Sequence, residues 1–394
     1  MTTLLTDTPS SPGTPQRELL DDLIAEICAA LQISPSHFER AVRSYEAVGK
    51  WLGADDSPLA SFRPLIYPQG SMALQTTVRP WTDDDTYDVD LVLEMRAPYK
   101  APMALYAMVE RRLRAHDAYA RLIELKRRCI RLNYRDDGGV FHMDVLPARP
   151  DELRGGTCIE VPDRGEPTIW QPSNPRGYFK WFEAQATRTD LLERAAQAPL
   201  PDNVPAQAKP VLKRAVQLLK RRRDLLFQGR SDDAPRSVLL TTLAGQHYVG
   251  GGDVSSTVLC ILAGILAAVE NAAPQRIVVC NPTNPAELFC ESFKTDEQYS
   301  LFVSFVKQFY NEMLSLVETT GFSKLQGMMG SMFGEKVTSR VLTEYAARIN
   351  ARREERTLGV SGRVGAAAGN GTAAARLTTA TQGIAIPKNT FFGE

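Results

Sequence analysis

The chain has 394 residues, of which 43% are hydrophobic and 23% charged, a composition typical of a globular protein large enough for two lobes. Its 46 basic and 46 acidic side chains balance, which argues against a protein held on nucleic acid or an anionic membrane by its overall charge. Six cysteines without a C-x-x-C pair and four scattered histidines argue against a zinc site and a disulfide framework, and fit a reducing compartment.

The first segment, residues 1–16, is rich in Thr, Ser and Pro and lacks the basic and apolar regions of a signal peptide, so we expect a flexible N-terminus. Apolar residues then recur at helical spacing from Leu19 to Leu31 and from Phe38 to Leu52, which predicts two helices. The longest apolar stretch, Val258 to Val269, is shorter than the roughly 20 residues of a membrane span. We expect a soluble cytoplasmic protein without a membrane partner.

A strand and a tight turn follow the two helices. Leu65 to Tyr67 is a short apolar run that ends at Pro68-Gln69-Gly70-Ser71, and we predict a helix from about Met72. Such a turn presents backbone N–H groups, a hydroxyl and a helix N-terminus, which together bind phosphate oxygens. Gly70 and Ser71 are therefore predicted to bind the triphosphate of a nucleotide.

The next strand, Tyr87 to Met95, alternates strictly and places Asp88 and Asp90 on one face. A helix from about Pro102 to His116 and a strand from Ile123 to Tyr134 come after it. The turn sequence from Asp136 to Gly139 then predicts a hairpin.

The strand returning from the hairpin, Val140 to Leu146, carries Asp144 on the face opposite Phe141, Met143 and Val145. Nucleotidyl transfer uses two divalent ions about 4 Å apart, and hard ions prefer oxygen ligands. Asp88, Asp90 and Asp144 are thus predicted to be catalytic and to hold two Mg²⁺ or Mn²⁺ ions. A lone Asp-x-Asp is more often a solvated strand face, and we interpret Asp83 to Asp85 as a solvated loop.

From Asn174 onward helical patterns dominate. They predict helices over 178–194, 208–227, 237–248, 256–271, 296–318 and 336–355. Basic runs such as Lys220 to Arg223 could contact nucleic acid, but on helices they are usually solvated faces. After about Leu358 the sequence is rich in Gly, Ala and Thr, which predicts disorder.

The fold class predicted from this order is α+β. We expect a flexible N-terminus (1–16), a lobe with a mixed β-sheet (17–172), a helical lobe (173–357) and a disordered C-terminal tail (358–394).

Several motifs resemble those of the DNA-polymerase-β-type nucleotidyltransferases, and more closely those of the bacterial cyclic-oligonucleotide synthases of antiphage signalling, relatives of animal cyclic GMP-AMP synthase. The resemblance is carried by Tyr67 to Met72, Thr76 to Pro80, Tyr87 to Leu91, His142 to Ala148, Ser173 to Phe182, Leu212 to Asp224 and Asn281 to Pro285.

The resemblance implies a polymerase-β-like nucleotidyltransferase lobe, a cleft that binds ATP or other ribonucleoside triphosphates, and magnesium on the three aspartates. It also implies that Lys213 contacts the triphosphate and that Ser237 lies near the donor nucleotide. The plainer interpretations are a solvated helix lysine and a helix N-cap serine. The implied activity is synthesis of a cyclic di- or trinucleotide second messenger for antiviral defence, with release of pyrophosphate.

One difference from the animal enzyme, the role of the tail and two alternative activities stay open at this point. The chain lacks the His/Cys zinc cluster of the animal enzyme, which argues against activation by double-stranded DNA. The tail resembles tails that a ubiquitin-like ligation machinery conjugates, although it could equally be an end without function. The alternatives for the activity are a linear nucleotidyltransferase acting on RNA, protein or a small molecule, and a noncatalytic nucleotide-binding protein.

Overall fold

A computed structural model describes residues 15–80, 86–96, 101–136, 139–187, 200–290, 293–354, 358–362, 375–379 and 384–385. The predicted flexible segment 1–16, the acidic run Asp83 to Asp85 and most of the tail lie outside these residues or at their edge. Predictions made for them stay predictions.

The first lobe contains seven strands: β1 (Leu65–Gln69), β2 (Tyr87–Glu94), β3 (Ile123–Leu125), β4 (Ile130–Asp136), β5 (Gly139–Pro150), β6 (Ile159–Pro162) and β7 (Trp170–Ser173). They form one sheet in the order β1-β2-β5-β4-β3, which β6 and β7 extend from β5. β2 and β5 run parallel, and the other neighbouring pairs are antiparallel. The predicted mixed sheet is therefore confirmed.

Two strand predictions need correction. The single strand expected from Ile123 to Tyr134 is two antiparallel strands, β3 and β4, because the chain turns at 126–129, where the N–H of Lys126 donates to the carbonyl of Cys129. β5 runs beyond Leu146 to Pro150 because its last residues pair with β6. The β4–β5 hairpin is confirmed by the pairing of Asp136 with Gly139.

The helices of the chain begin with α1 (Pro15–Ala30), α2 (Pro35–Gly53), α3 (Gly70–Ala73), α4 (Pro102–Arg114) and α5 (Asp117–Ala120). The second lobe contains α6 (Pro175–Thr187), α7 (Val211–Leu226), α8 (Ser237–His247), α9 (Val254–Ala272), α10 (Asp296–Glu318), α11 (Phe322–Phe333) and α12 (Glu335–Glu354). A small hairpin, β8 (Cys280–Asn281) and β9 (Asn284–Leu288), lies between α9 and α10. The predicted α+β class, a mixed sheet followed by a helical lobe, is confirmed; α11 and this hairpin were not predicted.

The two lobes have separate cores. The face of the sheet that carries Val89, Leu91 and Met143 packs beneath α2 and α4. The helical lobe has its own core, and it includes Leu23, Ile24 and Ile27 of α1, all fully buried. The apolar stripe of α1, which lies within the predicted range 17–172, therefore packs on the C-terminal helices and not on the sheet.

Helix α9 is long and apolar enough to cross a membrane by length and composition. Val258, Ile261, Leu262 and Ile265 are nevertheless fully buried in the core of the helical lobe. The helix therefore has the position of a core helix, and its packing against neighbouring helices accounts for its hydrophobicity.

Three short strands lie within the range for which we predicted disorder: β10 (Leu358–Gly362), β11 (Ala375–Thr379) and β12 (Ile384–Ala385). They pair as an antiparallel sheet in the order β11-β10-β12. Backbone pairing, which does not need large apolar side chains, orders these residues. Disorder of the remaining tail stays a prediction.

Candidate active site

The carboxylates lie on the face of the sheet that points away from the α2 and α4 side. In β2, Asp90 is paired in register with Gln69 of β1 on one side and with Asp144 of β5 on the other. Asp144 in turn faces Arg131 of β4. Four neighbouring strands therefore place Gln69, Asp90, Asp144 and Arg131 in one row, with about 4.8 Å between adjacent strands. Asp88 lies one pleat along β2, in register with His142.

The turn after β1 touches this row. Gly70 has φ +66°, and a Cβ atom at this position would lie 2.0 Å from Oδ2 of Asp90. Only glycine therefore allows the backbone to approach the carboxylate so closely. The Ser71 hydroxyl lies 3.0 Å from the Thr77 hydroxyl. The helix predicted from Met72 is the single turn α3, so it is the N–H groups and the hydroxyl of the turn, more than a helix dipole, that can bind phosphate.

The negative charges of the row influence one another. Burial, and then the neighbouring Asp88 and Asp144, raise the pKa of Asp90 well above its usual value. Burial also raises the pKa of Asp88, but a hydrogen bond with His142 and the charge of Arg131 lower it more, so that its pKa lies below the usual value. The site therefore contains an excess of closely spaced negative charge.

Arg131 supplies a positive charge to the row. Its Nε donates to Oδ1 of Asp144 over 2.7 Å and its second terminal nitrogen donates to Oδ2 over 2.8 Å. The same nitrogen reaches Oδ1 of Asp88 at 3.2 Å. One guanidinium thus binds two of the three carboxylates.

The residues fit a divalent ion by their chemistry, since carboxylate oxygens are the ligands that Mg²⁺ and Mn²⁺ prefer and their mutual repulsion favours a bound cation. As the side chains stand, no three His, Cys, Asp or Glu groups in the described residues converge as ion ligands. The bonds to Arg131 are consistent with this, because they turn both oxygens of Asp144 toward the guanidinium.

Gln69 and Asp90 of the row line a cleft of about 270 Å³ between the two lobes, whereas Asp144 and Arg131 lie beside it and not in its lining. The sheet lobe contributes Gly70, Ser71, Asp88 and Asp90 to its lining. Ser173 at the end of β7 also lines it. The helical lobe contributes the polar residues Lys220, Ser237, Asn281 and Glu287 and the aromatic residues Tyr178, Phe179 and Phe289. A cleft with carboxylates at one side and aromatic walls at the other can hold a nucleotide by its phosphates and its base.

Lys213, which the resemblance implied as a triphosphate contact, does not line this cleft in the structure. Its ammonium lies 2.6 Å from Oε1 of Glu183 and donates to the side-chain oxygen of Gln75, and its side chain is 3% exposed. Lys220, seven residues later on the same face of α7, lines the cleft instead. Its ammonium donates to the Thr76 carbonyl at 3.1 Å and to the Thr76 hydroxyl at 2.9 Å.

Lys220 is therefore a cationic residue of the cleft that the sequence analysis did not predict. An ammonium has three donors, and Thr76 accepts two of them. Burial and the charge of Arg223 lower the pKa of Lys220 to about 7. The signal in the sequence is its place two helical turns after Lys213, which puts both lysines on one face of the helix.

Ser237 lines the cleft as the first residue of α8, where Arg236 is the N-cap. Its hydroxyl accepts a hydrogen bond from Arg223 over 2.5 Å. The basic run on α7 was expected to be solvated, and that expectation was wrong. Lys220, Arg221 and Arg222 are all at most 5% exposed, because Arg222 pairs with Glu312 and the other two donate to backbone carbonyls of the sheet lobe.

Comparisons with known proteins agree with this architecture. Residues 20–185 match the family described as the Second Messenger Oligonucleotide or Dinucleotide Synthetase domain. A c-di-GMP synthase of Roseivirga ehrenbergii is 32% identical over 340 residues, which are 85% of this chain and 89% of that protein.

Solved structures are similar in the same way. The CD-NTase CdnG of Bradyrhizobium diazoefficiens, in complex with GTP, matches with a TM-score of 0.68 and 27% identity over 83% of this chain and 99% of that one. The Vibrio cholerae cyclic AMP-GMP synthase DncV, with a nonhydrolyzable GTP, matches with a TM-score of 0.51 and 17% identity over 82% and 88% of the two chains. The second likeness supports the fold alone.

Proposed function

Because the chain belongs to the family of second messenger oligonucleotide or dinucleotide synthetases, we propose that it condenses two molecules of GTP into cyclic di-GMP. The observation that carries the proposal is the group of three neighbouring carboxylates beside the Gly70 turn, of which Asp88 and Asp90 line the interlobe cleft. Guanine is favoured because one relative is described as a c-di-GMP synthase and another was solved with GTP.

The reaction consists of two transfers. A ribose hydroxyl of one GTP attacks the α-phosphorus of the other, a P–O bond forms, and the bond to the β-phosphate oxygen breaks. Pyrophosphate leaves, and the hydroxyl proton passes to a nearby carboxylate or to water. The linear product then turns within the cleft, and a second transfer closes the ring.

The residues of the chain have separate parts in this scheme. The N–H groups at Gly70 and Ser71, with the ammonium of Lys220, bind the triphosphate, and the hydroxyl of Ser237 orients it. Tyr178, Phe179 and Phe289 offer apolar surface to a base. Asp88, Asp90 and Asp144 would hold Mg²⁺ or Mn²⁺, which when bound activates the attacking hydroxyl and neutralises the leaving pyrophosphate.

Other parts of the proposal concern the cell. We propose that the protein acts in the cytoplasm and that its product is a second messenger in antiviral defence. Conjugation of the C-terminus by a ubiquitin-like ligation machinery also stays a proposal, since residues 386–394 lie outside the described part of the chain. Activation by double-stranded DNA is not expected.

The test is incubation of the purified protein with GTP alone, ATP alone and all four ribonucleoside triphosphates, with Mg²⁺ or Mn²⁺. Phosphatase treatment and mass spectrometry then identify the product. We expect a phosphatase-resistant cyclic di-GMP that Asp88→Asn/Asp90→Asn does not form. Asp55→Asn, which changes an exposed carboxylate after α2, is the matched control and retains activity.

Other products would decide against the proposal. A product with a free triphosphate or a nucleotide attached to an acceptor would indicate a linear nucleotidyltransferase. GTP binding without pyrophosphate release under every condition would indicate a noncatalytic binder.

A further inference from the structure

Arg131 makes more contacts with the carboxylates than any sequence pattern suggested. Its guanidinium binds both oxygens of Asp144, at 2.7 and 2.8 Å, and reaches Asp88 at 3.2 Å. A third nitrogen lies 3.1 Å from Nδ1 of His142. The side chain is 19% exposed, and that of Asp144 is 14% exposed. The two bonds to Asp144 are therefore largely shielded from water, whereas Asp88, with a side chain 52% exposed, lies at the solvent edge.

The position follows from the register of the sheet. Arg131 and Asp144 face each other across β4 and β5, and Asp88 lies one pleat away on the next strand. Cross-strand neighbours on one face have Cβ atoms about 5 Å apart, which a guanidinium spans. The fork geometry matches a carboxylate, and such two-point bonds are among the stronger ion pairs.

An ordinary cross-strand ion pair is the simpler interpretation, and the same sheet contains one for comparison. Arg149 of β5 faces Glu160 of β6, with nitrogen to oxygen distances of 2.7 and 2.8 Å. Arg131 differs because it bridges two carboxylates that are predicted to hold ions. A guanidinium and a divalent ion then need the same oxygens.

We propose that Arg131 is a positioning residue that neutralises Asp88 and Asp144 until a divalent ion binds, and that it competes with the ion for Asp144. The inference rests on the ion-binding role in the proposed function, but not on the identity of the product. Without Arg131 the carboxylates repel one another more strongly, so the protein is less stable without ions and binds an ion more tightly.

The experiment measures Mn²⁺ binding to the full chain without nucleotide, by electron paramagnetic resonance of free Mn²⁺, together with thermal unfolding in EDTA and in MnCl₂. For Arg131→Met we expect a lower Tm in EDTA, a larger gain in Tm on adding Mn²⁺, and a Kd for Mn²⁺ about 10-fold lower than in the wild type. Arg131→Lys, which retains charge but not the fork, is expected to give an intermediate Kd and serves if the Met variant does not fold.

Arg149→Met is the control for the loss of a cross-strand pair, and it should lower Tm equally in both buffers with an unchanged Kd. An unchanged or higher Kd in both Arg131 variants would overturn the proposal and leave a structural pair. Cyclic product is measured in the same preparations. A wild type that makes product while the Kd does not respond to Arg131 refutes this inference alone, whereas a wild type without product refutes the proposed function.

Discussion

Replacement of Gly70 by alanine tests whether catalysis needs the close approach of the turn to Asp90, independently of the effect on the stability of the chain. The added Cβ would lie 2.0 Å from Oδ2 of Asp90, whereas real contacts of this kind are not closer than 3.0 Å. The carboxylate or the turn must therefore move by about 1 Å, a displacement that can lower the rate of an enzyme about 100-fold. The left-handed backbone, with φ +66°, adds a loss of ~1–2 kcal/mol in the free energy of unfolding.

The assay compares Gly70→Ala with Gly251→Ala. Gly251 has φ +72°, and a Cβ atom added there would have nothing within 4 Å, so alanine incurs the backbone strain without the clash. We expect similar losses of stability in chemical denaturation, but a fall of about 100-fold in the rate of pyrophosphate release only for Gly70→Ala. Equal activity of the two variants at saturating GTP would refute the role of the close approach.

The other predictions concern buried charges. Lys213→Met should lower the free energy of unfolding by ~3–5 kcal/mol, because Glu183 is left buried without its partner. The affinity for GTP should not change. Weaker GTP binding by a variant of unchanged stability would indicate that Lys213 contacts the nucleotide. Lys220→Met should weaken GTP binding about 10-fold or more below pH 7, from the loss of a charged hydrogen bond. Since the pKa of Lys220 is about 7, the Kd for GTP should rise as pH increases from 6 to 9 in the wild type, and this slope should disappear in the Met variant. Asp90→Asn should be more stable than the wild type at pH 8 in EDTA, with a difference that shrinks toward pH 5 in thermal unfolding. The reason is that folding raises the pKa of Asp90, so the free energy of unfolding of the wild type falls as pH rises toward that pKa. A difference that does not change with pH would contradict this reasoning.

The strand pattern predicted part of the site because it is a local property. Alternation places Asp88, Asp90 and Asp144 on the face opposite the buried apolar side chains, whichever strands neighbour them. The ends of the strands depend on pairing instead. The turn at 126–129 divides one expected strand in two and brings Arg131 opposite Asp144, and no periodicity indicates that register.

The helical contributions were harder to predict for the same reason. Lys213 and Lys220 share one face of α7, and only the packing of that face on residues 75–77 decides which of them reaches the cleft. Similarly, the apolar stripe of α1 predicts a buried helix but does not say which core receives it. The helical spacing is equally compatible with either lobe.

The packing of α1 has a consequence for the order of folding during synthesis. Its apolar residues belong to the core that α12 helps to close, and Arg348 of α12 bonds to Glu26 of α1 over 2.6 Å. Because these two residues are 322 positions apart, α1 cannot complete its contacts until α12 has been made. Contacts over such separations form late, since a long loop must close first. The sheet lobe, whose core lies within a shorter stretch of chain, can fold earlier, while α1 remains exposed and available to chaperones.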